Sequence, residues 1–244
     1  MAIEVFNRHE SKYLLTEEQY IKFYEELLTY MELDKHNEND ELYSIANIYY
    51  DTKDHSVIRH SLSKPKYKEK LRIRSYGVPK LDDIVFLEMK KKVFGLVNKR
   101  RTKMKLSDAY KFVETGIEPP YESYMNKQVI QEIKYYLSQH ELLPMIYLSF
   151  DRKALFSKEN RDLRITFDKN IRSRRSDVLL EKSDEGELLI EEGTWLMEVK
   201  AEKTVPLWLS QLLSKHGLYR IGFSKYGNEY KKNVRNLIRL KEEK

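Results

Sequence analysis

The sequence predicts an α+β domain: a closed antiparallel β-barrel of about eight strands with a polar interior, flanked by helices. Three observations predict it. Strand-like segments outnumber helical ones, these segments alternate apolar and charged residues with period two, and cations on the charged faces outnumber the neighbouring acids.

The strand-like segments are Glu4–Leu14, Tyr43–Asp51, Tyr67–Tyr76, Ile84–Val93, Pro144–Leu155, Leu163–Arg172, Glu187–Glu191 and Thr194–Glu202. Thr16 and Gln19 form a capping box that opens a helix with Tyr20, Phe23, Tyr24, Leu27 and Leu28 on one stripe. Further helices are expected from Ser107 to Gly116, within Tyr121–His140, after Pro206, and as a basic amphipathic tail at about 228–241. The glycines and prolines are scattered and no linker or repeat is evident, so residues 1–244 read as one domain.

Residues of one parity share a face of a strand. Lys68, Lys70, Arg72, Arg74 and Tyr76 fall opposite Leu71 and Ile73. Glu88, Lys90 and Lys92 fall opposite Leu87, Met89 and Val93. Arg164, Thr166 and Asp168 oppose Leu163, Ile165 and Phe167, while Glu198, Lys200 and Glu202 oppose Met197, Val199 and Ala201. Arg8, Glu10 and Lys12 also share a face. On any one strand this is ordinary half-solvated alternation. Taken together, the cations exceed what mutual pairing neutralises, and the Arg72–Arg74 pair supplies planar forks suited to phosphate oxygens. With these faces turned inward and the helices covering the apolar faces, the interior is a wet, positive lumen that a linear phosphate chain fits.

Composition narrows the partners. The formal net charge is +6, with 45 Lys and Arg against 39 acids, which points to an anion. Absence of cysteine excludes disulfides and thiolate metal sites and accords with a cytoplasmic setting. The first residues lack an apolar signal-peptide core, and no apolar run approaches the roughly 20 residues that span a bilayer. A pI near 9.1 invites nucleic acid as a partner. Acids alternating with cations on the same faces argue against it, as does the lack of a recognition helix or RNP-like aromatic pair. Walker A and dinucleotide glycine motifs are absent, and the six histidines show no metal-ligand spacing. The run Lys90–Lys92 with Lys99–Arg101 and Lys103 fits a solvated hairpin edge equally well.

Several motifs occur in order: Glu10-Ser-Lys12-Tyr13, Ile48-Tyr-Tyr-Asp-Thr52, Lys70-Leu-Arg72-Ile-Arg74-Ser-Tyr76-Gly77, Phe86-Leu-Glu88-Met-Lys90, Asp151-Arg152-Lys153-Ala154, Arg164-Ile-Thr-Phe-Asp168, Met197-Glu198-Val-Lys200 and Phe223-Ser-Lys225-Tyr226-Gly227. Together they resemble the VTC domain, the polyphosphate polymerase module of the vacuolar transporter chaperone complex, one of the triphosphate tunnel metalloenzymes. The likeness runs from about residue 4 to 230. It implies a tunnel of antiparallel strands and metal-dependent transfer of the γ-phosphoryl group of ATP onto polyphosphate. Arg72, Arg74, Lys90, Arg152, Arg164 and Glu198 are then the catalytic set. Lys12, Lys70, Lys99, Lys200 and Lys225 join the arginines and Lys90 in binding phosphates. Glu198, with Glu10 and Glu88 nearby, would hold Mn²⁺ or Mg²⁺. Tunnel hydrolases of the wider superfamily often begin Glu-x-Glu-x-Lys, and here Arg8 replaces the first Glu. The implied partners are ATP and polyphosphate or triphosphate, with room for a membrane-protein partner. Hydrolysis of tripolyphosphate or nucleoside triphosphates, and a non-catalytic polyphosphate-binding module, remain the alternatives.

Overall fold

The computed structural model describes residues 9–34, 37, 41–94, 96–202 and 204–242, so residues 4–8 of the first expected strand lie outside the described residues. In chain order the first half runs β1 (His9–Leu15), α1 (Glu17–Leu27), β2 (Met31–Leu33), β3 (Tyr43–Asp51), α2 (Ser56–Leu62), β4 (Tyr67–Tyr76), β5 (Ile84–Val93) and β6 (Leu96–Lys105). The second half runs α3 (Leu106–Thr115), α4 (Lys127–Gln139), β7 (Leu143–Ser157), β8 (Arg164–Arg174), β9 (Glu187–Leu188), β10 (Trp195–Ala201), α5 (Leu207–Lys215) and α6 (Lys225–Glu242). No helix among the described residues is long and apolar enough to cross a membrane.

One antiparallel sheet holds all ten strands, in the order β1-β10-β8-β7-β3-β4-β5-β6, with β2 paired to β7 and β9 to β8. The expected closure is corrected in one respect: among the described residues the end strands β1 and β6 share no hydrogen-bonded ladder. Two causes are visible. The free edge of β1 is taken at Lys12, whose carbonyl accepts from the Ile221 amide at 2.8 Å. A β1–β6 ladder would also press the Lys12 row against the Lys99 and Arg101 row, and like charges side by side are destabilising.

The sheet nevertheless curls about its polar face. Six strand spacings separate β1 from β5, roughly 29 Å if the sheet were flat. Yet Lys90 Nζ on β5 lies 3.6 Å from Glu10 Oε2 on β1. Irregularities at Tyr49/Tyr50 and Ser149/Asp151 fall in the central strands, where an extra residue adds local bend and twist.

The convex side is dry. Ala46, Ile48, Leu71, Ile73, Val85, Leu87 and Met89 pack against Phe112 and Val113 of α3 and Val129, Ile130 and Ile133 of α4. Tyr13, Leu15, Ile165, Phe167, Met197 and Val199 pack against Phe23 and Leu27 of α1 and Leu209, Leu212 and Leu213 of α5. Each large side chain so buried contributes about 1.5–3 kcal/mol. The Thr16/Gln19 capping box that opens α1 is formed in both directions.

Helix α2 begins without a side-chain cap of its own, because His55 sits in the left-handed region at φ 61°. Asp51, buried at the end of β3, caps it from a distance: its carboxylate accepts from the Val57 and Ile58 amides at 2.9 Å each. It also accepts from the Tyr226 hydroxyl of α6 at 2.7 Å, tying α6 to the sheet. Asp51→Ala removes all of these bonds and strands the Tyr226 hydroxyl, so urea denaturation is expected to give a loss of about 3 kcal/mol. Thr16→Ala, which breaks only an exposed cap, is expected to cost about 1 kcal/mol.

Candidate anion-binding face

The site grows from the cross-strand register of β4 and β5, which sets Lys68 opposite Lys92, Lys70 opposite Lys90, Arg72 opposite Glu88, and Arg74 opposite Phe86. Alternation puts these side chains on the concave face, behind the dry leucines and isoleucines. Arg72 is fully engaged: Nε and Nη2 donate to Glu88 Oε2 at 2.8 and 2.6 Å, and Nη1 donates to the Tyr49 hydroxyl at 2.9 Å. Lys99 of β6 approaches the other Glu88 oxygen at 3.5 Å. Arg74 is different, since its Nε donates to the Asn47 amide oxygen at 2.9 Å and no carboxylate pairs with it among the described residues. The amide group of Asn47 is itself fixed by donating to the Leu148 carbonyl.

The other half comes from β1, β10, β8, β7 and the first turn of α6. Glu198 is the knot. Its oxygens lie 3.0 Å from Lys12, 3.2 Å from Lys200, 3.4 Å from Lys225 and 3.9 Å from Arg152. Lys12 also reaches Glu10 at 3.1 Å, so one ammonium bridges two carboxylates. Arg152 grips Asp168 with a bidentate fork at 2.6 and 2.7 Å, and Lys225 holds the same carboxylate at 2.5 Å. Arg164 pairs with Asp34 at 2.9 Å, but its Nε and the Thr166 hydroxyl are buried without a hydrogen-bond partner.

The sequence-expected residues therefore gather on one face through two linked groups. Lys12, Lys90, Arg152, Lys200 and Lys225 converge on Glu10, Glu198 and Asp168, while Arg72, Arg74, Lys70 and Lys99 surround Glu88 and Tyr49. Arg164 stands beside the first group on β8. Arg8 lies outside the described residues. Sequence reasoning assigned no role to Asp168, Asp34, Asn47 or Tyr49. Asp168 carried a signal, its parity with Arg164 and Thr166, whereas the tie between Asp34 and Arg164 carried none.

The electrostatics follow from burial and crowding. Burial opposes ionisation of Glu10, but Lys90, Lys200 and Lys12 outweigh it and hold its carboxyl down at about 2. Glu198 is held well below the usual carboxylate range, against burial, by Lys12, Lys225 and Lys200. Glu88 is held down in the same way by Arg72, Arg74 and Lys99. Burial pushes Lys70, Lys99 and Lys200 down to about 8, with neighbouring cations adding to it. The Tyr49 hydroxyl is drawn down to about 8 because Arg72 and Arg74 overcome its burial. The acidified Tyr49 hydroxyl reports spare positive charge around Arg72 and Arg74, whereas Lys12, buried but held between Glu198 and Glu10, is raised.

Glu10, Glu198 and the unpartnered Thr166 hydroxyl, in register beside Glu198, are hard oxygen donors of the kind Mg²⁺ and Mn²⁺ take. The fit is partial, because no three Asp, Glu or His side chains cluster among the described residues. Phosphate oxygens would have to complete a shell there. Glu88 is poorly placed to contribute, since Arg72 and Lys99 occupy its oxygens.

The structure is of the class of curled antiparallel sheets whose concave face carries a surplus of Lys and Arg. The family model of the VTC domain matches residues 7–234, and the chain belongs to that family. A solved structure described as a candidate adenylate cyclase from Bacillus halodurans is similar at 16% identity and TM-score 0.56, covering 91% of this chain and 96% of that one. This likeness extends the fold over nearly the whole chain. A candidate adenylate cyclase from Vibrio parahaemolyticus (12% identity, TM-score 0.48, 92% and 98% covered) is more distant. So is an adenylyl cyclase candidate from Hippeastrum described as having a dominant triphosphatase activity (14% identity, TM-score 0.49, 92% and 93% covered). No curated protein matches the chain.

The two arginines of β4 are expected to separate in stability. Arg72→Met leaves Glu88 buried with only the distant Lys99, so thermal or urea melting should show a loss of about 3–5 kcal/mol. Arg74→Met relieves repulsion from Arg72 but takes one of the cations from Glu88 and leaves the buried Asn47 amide oxygen without its donor, so the same measurement should show a smaller loss than Arg72→Met.

Proposed function

We propose that the chain is a metal-dependent polyphosphate polymerase that transfers the γ-phosphoryl group of ATP onto the end of a polyphosphate chain held against the concave face. The observation that carries this reading is the surplus of buried cations around two carboxylates bridged by one lysine, Glu10 and Glu198. A phosphate chain offers many charges in a narrow rod, and phosphoryl transfer depends chiefly on positioning and on neutralising its oxygens.

In this reading Arg72, Arg74, Lys90, Arg152 and Arg164 orient successive phosphates, and Lys12, Lys70, Lys99, Lys200 and Lys225 extend the cradle. Mn²⁺ or Mg²⁺ bound through Glu198 and Glu10 would supply further neutralisation of phosphate oxygens at the reacting end. A terminal oxygen of the polyphosphate forms the new P–O bond as the β–γ bridge breaks and ADP departs. That oxygen is already largely ionised near neutral pH, so the step requires no general base. The point matters because Glu10, Glu88, Asp168 and Glu198 are all held ionised far below neutrality, which makes them poor proton acceptors. Hydrolysis, the second reading, requires a positioned water and gains little from such carboxylates.

Incubation with ATP and Mn²⁺ followed by a gel stained for polyphosphate tests the reading. A ladder of polymer is expected, whereas free phosphate without polymer would assign the hydrolase, and neither product would leave a binding module. Glu198→Gln is expected to abolish metal-dependent turnover while keeping most of the affinity for tripolyphosphate, read by calorimetry.

The pH dependence has a definite sign. Lys70 sits at about 8, so the cradle loses charge as pH rises through that value, and an arriving anion pulls the proton back. Tripolyphosphate affinity should therefore fall from pH 7 to pH 9. Titrations in buffers of different ionisation enthalpy should show proton uptake near pH 8.

A further inference from the structure

The concave face is not uniform along its length, and its two ends differ in chemistry. On β4 the inward row reads Lys68, Lys70, Arg72, Arg74 and then Tyr76; on β5 it reads Phe86, Glu88, Lys90 and Lys92 in the opposite direction. Rings therefore gather at one end. Tyr76 and Phe86 meet edge to face with centroids 5.8 Å apart, and Tyr43 of β3 lies 6.0 Å from Tyr76 on the other side. Tyr43 stands opposite Arg152 in the β3–β7 register, so the ring cluster abuts the cation network directly. The opposite end has Lys68 and Lys92 paired in register and, beyond them, the single ring of Phe94 under Lys66, with no cluster of rings among the described residues.

We propose that Tyr43, Tyr76 and Phe86 form a stacking subsite for the base of a nucleoside triphosphate, which fixes the direction in which the nucleotide lies on the face. The proposal rests on the reading of the face as a phosphate cradle and adds the seat of the donor's base and its orientation. Tyr76 is 51% exposed and ends the β4 row that carries Arg74 and Arg72. Arg101 lies 4.7 Å and Lys103 6.0 Å from the Phe86 ring centre, so cations stand where the first phosphates would follow a stacked base. About 13 Å of strand separate Tyr76 from Arg72, the span of a ribose and its phosphates. The reacting phosphate then reaches the Glu10, Lys90 and Glu198 group, and the product chain leaves past Lys70, Lys68 and Lys92. Stacking on a ring is tolerant of which base is present, so discrimination between purine nucleotides is expected to be small.

The test compares two ligands that share the phosphates and differ in the base. In the presence of Mn²⁺, calorimetric titration of the whole chain with ATP and with inorganic tripolyphosphate is run for wild type, Tyr76→Ala and Tyr76→Phe. Tyr76→Ala is expected to weaken ATP about tenfold, the size of one lost base–ring stack, and to leave tripolyphosphate unchanged. Tyr76→Phe, which keeps the ring, is expected to bind ATP as wild type does. If Tyr76→Ala weakens both ligands alike, or neither, the subsite is overturned while the phosphate cradle stands. If wild type binds neither ligand, the cradle itself is overturned and the subsite with it.

Discussion

Crowding of like charge governs this protein. Lys70 and Lys90, and Lys68 and Lys92, are placed directly opposite one another across two strands, with Arg72 and Arg74 continuing the same row. Two unit charges 4 Å apart repel by about 4 kcal/mol at an effective dielectric constant near 20, more than a hydrogen bond returns. The fold contains this by setting carboxylates at a few knots, Glu88, Asp168 and Glu198, each shared by two or more cations. Cations left without a carboxylate among the described residues include Arg74 on an amide oxygen and Lys70 above the Tyr226 ring. Sharing acids in this way leaves the face short of negative charge, the condition that the proposed phosphate chain would relieve.

The same arrangement explains why the scaffold can carry such a face. Most of the apolar packing is on the convex side, where two clusters pack the sheet against α3 and α4 and against α1 and α5. Two smaller clusters, around Ile45 and Phe150 and around Ile58, Ile146 and Leu148, share the concave face with the polar groups and seat Tyr226 of α6 there. Helix α6 joins the two kinds of contact: Lys225 enters the carboxylate network while the next residue, Tyr226, stacks on Tyr49 and donates to Asp51. Asp51 thus sets both the start of α2 and, through Tyr226, the position of Lys225.

Much of this was legible in the sequence because strand alternation is a local rule. The parity of Lys70, Arg72 and Arg74 against Leu71 and Ile73 gave their face directly, as did that of Glu198 and Lys200. Strand β6 escaped because it is charged on both faces: Lys99 turns inward to Glu88, while Arg100 turns outward to Glu132 of α4. Such a segment shows no period of two and reads as a solvated edge. Helix α2 is seven residues long and is capped by Asp51 from the end of another element, so no local start signal marks it. Closure misled for a related reason. Alternation tells which way side chains point, but whether two edge strands pair depends on what else reaches the edge, here Ile221 on β1.

On the proposed function, the folded chain is under electrostatic load until a polyanion occupies its concave face. Thermal melting with and without tripolyphosphate, against sodium chloride at matched ionic strength, measures that load. A ligand that binds the folded state alone at a hundred times its dissociation constant should add about 2.7 kcal/mol. A clear upward shift in melting temperature with tripolyphosphate, well beyond that given by chloride, is the predicted result. Equal shifts from the two salts would contradict the claim.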